Sequence, residues 1–131
     1  MIGLDTNVLV RFFLKDDPVQ SVKAGKLMNA LTAEAPGWVG VPTLLELVWV
    51  LASKNRFDRK TIAQTLDRLL SLKEIVVERE EVVLEAVIAF KRGRADFADC
   101  LIASAARAAG CNRTVTFDAT AARDAGMELI V

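Results

Sequence analysis

Short apolar runs alternate with longer stretches of helical periodicity along this chain. Met1 to Leu4 is an apolar run ending at Asp5 and predicts a buried strand. Thr6-Asn7 then turns the chain into a stretch with Val8, Leu9, Phe12 and Phe13 at helical spacing. Asp16-Asp17-Pro18 breaks it, and Val19 to about Leu31 reads as an amphipathic helix facing inward through Val22, Leu27 and Leu31. Ala35-Pro36-Gly37 predicts a turn and Trp38 to Val41 a strand. Pro42 suits a first helical residue, and Thr43 to Ser53 continues as an apolar helix.

Asp58 is a predicted N-cap for a helix to Leu72, with Ile62, Leu66, Leu69 and Leu70 on one side. Ile75 to Val77 is a strand. Glu80 to Arg92 is a helix with Val83, Ala86, Val87 and Phe90 inward. Its acidic start and basic end suit the helix dipole, and Gly93 closes it. An Ala-rich helix covers Asp96 to Ala109 and stops at Gly110. Thr114 to Phe117 is a strand, Ala119 to Arg123 a short helix and Met127 to Val131 a last strand. Short apolar strands between helices imply a mainly parallel sheet of four to five strands covered on both faces, a three-layer α/β/α sandwich.

At 131 residues, 53% hydrophobic and 26% charged, the chain suits one domain over 1–131 with a filled core. Lys plus Arg and Asp plus Glu each total 17, so a uniformly basic nucleic-acid wrapper is excluded, though a local basic rim is not. The apolar stretch Val8 to Leu14 has no basic residues before it, unlike a signal peptide. No apolar run approaches the roughly 20 residues of a bilayer span. A cytoplasmic protein is expected. Cys100 and Cys111 lack CxxC spacing, and Cys100, inside an apolar helix, reads as core.

Absent residue types narrow the chemistry further. The chain has no His and no Tyr, which removes Ser–His and Cys–His catalysis and histidine zinc sites. Neither GxxxxGK[ST] nor GxGxxG occurs. Carboxylates on a hard metal ion remain.

Four acids stand in positions that invite that chemistry. Asp5 and Asp118 end predicted strands. Glu46 and Asp99 sit among apolar neighbours near the starts of predicted helices, Glu46 in a run so apolar that it should be poorly solvated. In a parallel α/β sheet, strand C-termini and helix N-termini share the edge where ligands bind. All four are therefore expected at one crevice. Each also has a purely structural reading. Asp5, Asp96 and Asp118 are good helix N-caps, Asp99 suits a first turn, and Glu46 could pair with an arginine.

Leu4-Asp5-Thr6-Asn7-Val8-Leu9, Pro42-Thr43-Leu44-Leu45-Glu46, Asp96-Phe97-Ala98-Asp99-Cys100-Leu101-Ile102-Ala103 and Thr116-Phe117-Asp118 together resemble the PIN-domain family, and within it the VapC-type toxins. The resemblance covers essentially the whole chain. It implies a metal-dependent endoribonuclease, a homodimer, and inhibition by a small antitoxin docking into an apolar groove. It also implies an acidic quartet of Asp5, Glu46, Asp99 and Asp118, with Asp96 as an additional metal ligand. Thr6, Asn7 and Thr116 would steady the site.

Magnesium is the expected ion, with manganese a substitute, and hydrolysis would leave a 5′-phosphate and a 3′-hydroxyl. Arg11, Arg92 and Arg94, with Lys15, Lys54 and Arg56, are candidates to rim the site for RNA. Phe12, Phe13 and Trp49 are expected in the core, with the partner groove as the alternative. The rival function is a non-catalytic PIN-like module that binds protein. A response-regulator receiver lacks its paired acid and late lysine here. A dehalogenase-like phosphatase would need an acid where Asn7 stands.

Overall fold

Each predicted element forms within a few residues of its expected bounds, because the apolar spacing that marks it also gives it a face to bury. The computed structural model describes residues 1–131. It falls into two units, Met1–Glu78 and Arg79–Val131.

The first unit holds β1 (Ile2–Gly3), α1 (Thr6–Leu14), α2 (Pro18–Ala30), β2 (Gly37–Val39), α3 (Val41–Ser53), α4 (Arg59–Ser71) and β3 (Ile75–Val77). Its strands form one parallel sheet in the order β1-β2-β3, with Ile2 opposite Gly37 and Gly37 opposite Ile75. Parallel neighbours require a crossover, and two helices make each one. Gly37 is a glycine for lack of space. A Cβ there would lie 2.7 Å from the Leu4 side chain and 3.1 Å from that of Ile75.

Central β2 is covered, and Val39 is fully buried; Leu9, Leu44, Leu47, Leu51, Leu66 and Leu69 complete the core. Two expectations change here. β1 is an edge strand with Ile2 and Gly3 exposed, so only Leu4 of that run is buried. On α2 the inward residues are Ala24 and Met28, while Val22 is exposed. Asp17 caps that helix through the Val19 and Gln20 N–H groups, and Pro18 is its first residue.

The second unit holds α5 (Glu80–Arg92), α6 (Phe97–Ala108), β4 (Val115–Thr116), α7 (Ala119–Asp124) and β5 (Glu128–Leu129). α5 buries Val83, Ala86, Val87 and Phe90, as its spacing predicts. Phe90 meets Phe97 edge to face at 6.0 Å between ring centres. The buried Ser104 hydroxyl donates to the Val82 carbonyl at 2.8 Å, tying α6 to α5. Cys100 is buried beside it. β4 and β5 pair in parallel, with Val115 opposite Glu128. The fold is therefore α/β with parallel pairing within each sheet, and the strands form a three-stranded and a two-stranded sheet. No helix is long and apolar enough to cross a membrane.

Candidate carboxylate site

In the first unit two acids follow strands, and a third lies on the helix that begins after β2. Asp5 follows β1, and its Oδ1 accepts the Thr6 N–H at 2.8 Å, capping α1. Thr6 is buried beneath it, and Asn7 is exposed. α3 starts directly after β2, and Glu46 is its sixth residue. Glu78 follows β3; its Oε1 accepts the Val41 N–H at 2.8 Å, and its own N–H donates to the Val39 carbonyl. Glu78 thus caps α3, whose N-cap Gly40 has no side chain to do so.

The expected burial of Glu46 is corrected. Its side chain is exposed, as is Trp49, while Leu44, Leu47 and Leu51 fill the inner face. The run is apolar all round in sequence, yet only one side of the helix is covered. Trp49 leaves the core and carries the Lys54 ammonium 5.9 Å from its ring centre. Phe12 and Phe13 are half-buried, edge to face at 5.2 Å.

In the second unit Asp96 caps α6, its Oδ1 accepting the Asp99 N–H at 2.8 Å. Asp118 caps α7, accepting from Thr120 at 2.7 Å and Ala121 at 3.0 Å. Thr116 positions that cap, because its hydroxyl oxygen accepts the Asp118 N–H at 3.0 Å. The half-buried Asp99 carboxyl is held above the usual carboxylate range. Burial is the largest cause, followed by the negative charges of Asp96 and Asp118 and a hydrogen bond that the protonated carboxyl donates to the Asp96 side chain. Asp99 therefore feels both Asp96, which caps its own helix, and Asp118, nineteen residues further along the chain.

Of the predicted basic residues, Arg11 is already engaged. Its Nε donates to Gln20 at 2.7 Å, and its guanidinium pairs with Asp16 at 3.1 Å. Arg92 and Arg94 line a pocket of about 500 Å³ together with Gly93, Arg123 and Asp124. Arg123 and Glu78 were both passed over in the sequence. The signal for Glu78 was present, since it follows a strand as directly as Asp5 does.

Asp96, Asp99 and Asp118 suit a hard divalent cation in two respects. All their donors are oxygens, and the repulsion that raises Asp99 is what a positive ion relieves. Within neither unit, however, do three or more acidic or cysteine side chains stand gathered to hold an ion as they are. The match is one of donor chemistry and charge.

A family model described as PIN domain matches residues 2–126 and so runs through both units. Among curated proteins, none matches the chain.

Proposed function

The chain belongs to the PIN-domain family, whose members are generally nucleases, and we propose that it is a magnesium-dependent endoribonuclease, the toxin of a type II toxin–antitoxin pair. One observation carries the reading. Asp99 is pushed toward its neutral form by burial and by two neighbouring carboxylates. A carboxylate half-buried among like charges is disfavoured there as an anion, and such groups mark functional sites.

Asp5, Glu46, Asp99 and Asp118 are proposed as the ligands, with Asp96 an additional one. Bound there, Mg²⁺ or Mn²⁺ supplies charge neutralisation at the scissile phosphate and acidifies an attacking water. The chain does the positioning. Thr6 and Asn7 open α1 beside Asp5, and Thr116 aims Asp118. Asp99, placed where the charges of Asp96 and Asp118 reach it, is the residue proposed to orient the attacking water. Water attack leaves a 5′-phosphate and a 3′-hydroxyl. The chain has no histidine to serve the route through a 2′,3′-cyclic phosphate.

The family match through both units supports reading residues 1–131 as one nuclease domain. Homodimerisation and inhibition by an antitoxin belong to the same proposal. Exposed Leu84 and Ile88 on α5 and Ile102 on α6 supply apolar surface for such contacts.

The test is cleavage of total RNA with Mg²⁺ or Mn²⁺, wild type beside Asp5→Asn and Asp99→Asn, with the cut ends mapped. Cleavage by the wild type alone, stopped by EDTA and leaving 5′-phosphates, is expected. Equal cleavage by all three proteins, or none by any, overturns the nuclease reading. A non-catalytic binding module would show the second result.

A further inference from the structure

α7 separates two features of opposite character in the second unit. Its first end is capped by Asp118, one of the charges acting on Asp99. Its last residue is Asp124, which borders the arginine pocket. Six helical residues rise about 9 Å, so the carboxylates and the pocket stand roughly one short helix apart.

The pocket is strongly cationic for a chain of zero net charge. Three arginines, Arg92, Arg94 and Arg123, line it together with one acid, Asp124. That carboxylate is already committed. It accepts the Arg94 backbone N–H at 3.1 Å and the Arg123 Nε at 3.4 Å, so it ties the loop to α7 and holds the Arg123 guanidinium in place. Gly93 lets the preceding loop press against it, because a Cβ there would lie 2.8 Å from the Asp124 Cβ. The arrangement is built, and guanidiniums are suited to phosphate oxygens.

At the other end stands Phe117, 82% exposed and next to Asp118. Its backbone is held on both sides: Thr116 bonds the Asp118 N–H, and Asp118 caps α7. An aromatic ring on so fixed a backbone, turned to water next to Asp118, contributes nothing to the core.

We propose that α7 is the track of an unpaired nucleic-acid strand, with Phe117 stacking a base beside the carboxylates and the Arg92–Arg94–Arg123 pocket gripping a backbone phosphate one helix length away. The ligand class rests on the nuclease reading; the course of the strand is what the pocket and the ring add. An unpaired strand is required because the face of a base is open to an aromatic ring only when the base is not stacked within a duplex.

The test is anisotropy of a fluorescein-labelled single-stranded RNA of about 12 nucleotides, titrated in EDTA so that nothing is cut. Arg92→Gln/Arg123→Gln should raise Kd by about tenfold or more and flatten the salt dependence by about 0.7 in log–log slope per lost contact. Phe117→Ala should raise Kd by about tenfold with the slope unchanged, and Phe117→Trp should restore binding. A duplex of the same sequence should be indifferent to Phe117→Ala. The double variant Lys26→Gln/Lys60→Gln, which removes two exposed charges elsewhere, serves as the control.

No binding by the wild type, unchanged binding by both test variants, or an equal loss in the control overturns the proposal. Cleavage of total RNA, read separately, keeps the two ideas apart. A wild type that cuts while the Phe117 and arginine variants bind and cut like it would sink the track and leave the nuclease. Binding that depends on these residues without any cleavage would do the reverse.

Discussion

Asp96 Oδ1 accepts the Asp99 backbone N–H at 2.8 Å, so the bond that starts α6 also keeps a negative charge against the next acid of the helix. The cap stabilises the helix, and the crowding opposes the ionisation of Asp99. Both effects come from one side chain.

Asp99→Asn should therefore melt higher than the wild type in EDTA at neutral pH. A carboxyl whose proton affinity is raised on folding costs stability above its folded pKa, and the cost vanishes as pH falls through the ordinary range near 3.9. The α6 N-terminus favours the charge by about 0.3–1 kcal/mol and solvent screens the half-buried group, so the gain should be only about 1–3 °C. Added Mg²⁺ should raise the wild-type Tm more than that of the variant. Equal responses to Mg²⁺ in calorimetry would remove Asp99 from the ligand set.

Asp124 should show the opposite sign. The Arg123 guanidinium, the Arg94 N–H and the charges of both arginines hold its carboxyl below the usual range. Asp124→Asn should melt lower than the wild type at pH 7, and the difference should shrink as pH falls through that depressed pKa. A difference constant from pH 7 to pH 2 would show that the ion pair contributes nothing.

The cap on α3 can be dissected by paired substitutions of Glu78. Glu78→Ala leaves the Val41 N–H without its partner and should cost about 1 kcal/mol. Glu78→Gln keeps an acceptor oxygen and should cost well under half of that. Urea unfolding separates the two. Identical losses would mean that the charge, rather than the hydrogen bond, matters.

Gly93→Ala should disturb the junction of the loop with α7. The new methyl would meet the Asp124 Cβ at 2.8 Å and its carbonyl oxygen at 3.3 Å, and backbone cannot yield cheaply. A cost of about 1–3 kcal/mol is expected, together with weaker binding of single-stranded RNA as the Arg94–Asp124 bond opens. Wild-type stability and affinity together would contradict the tight packing.

Leu47→Ala tests which face of α3 is the inner one. Leu47 is fully buried, so its truncation should cost about 2–5 kcal/mol, whereas Trp49→Ala at 60% exposure should cost under about 1 kcal/mol. The reverse order in denaturant unfolding would place the helix the other way round.

The order of elements, the inner face of α5 and the Asp58, Asp96 and Asp118 caps were legible in the sequence. Each depends on neighbours within about one helical turn. The α/β class and the acids at strand ends were legible for the same reason. Glu46 was misjudged because a run of apolar residues tells how much surface a helix would gain by burial, not how much the rest of the chain covers. At the C-cap of α2 the inward residue Leu31 was legible, whereas Val22 is exposed because tertiary packing covers the face of Ala24 and Met28 instead.

By itself, then, the sequence determined which segments are helix and strand, the α/β class with a mainly parallel sheet, and the supply of carboxylates without histidine. These follow from local periodicity and composition. Only the tertiary structure decided that β1 is an edge strand, that Glu78 caps α3 from 37 residues away and that Arg123 joins Arg92 and Arg94 in one pocket. Those contacts are between residues far apart in the chain, and the free energy that selects them lies in packing and hydrogen bonds that no local pattern contains.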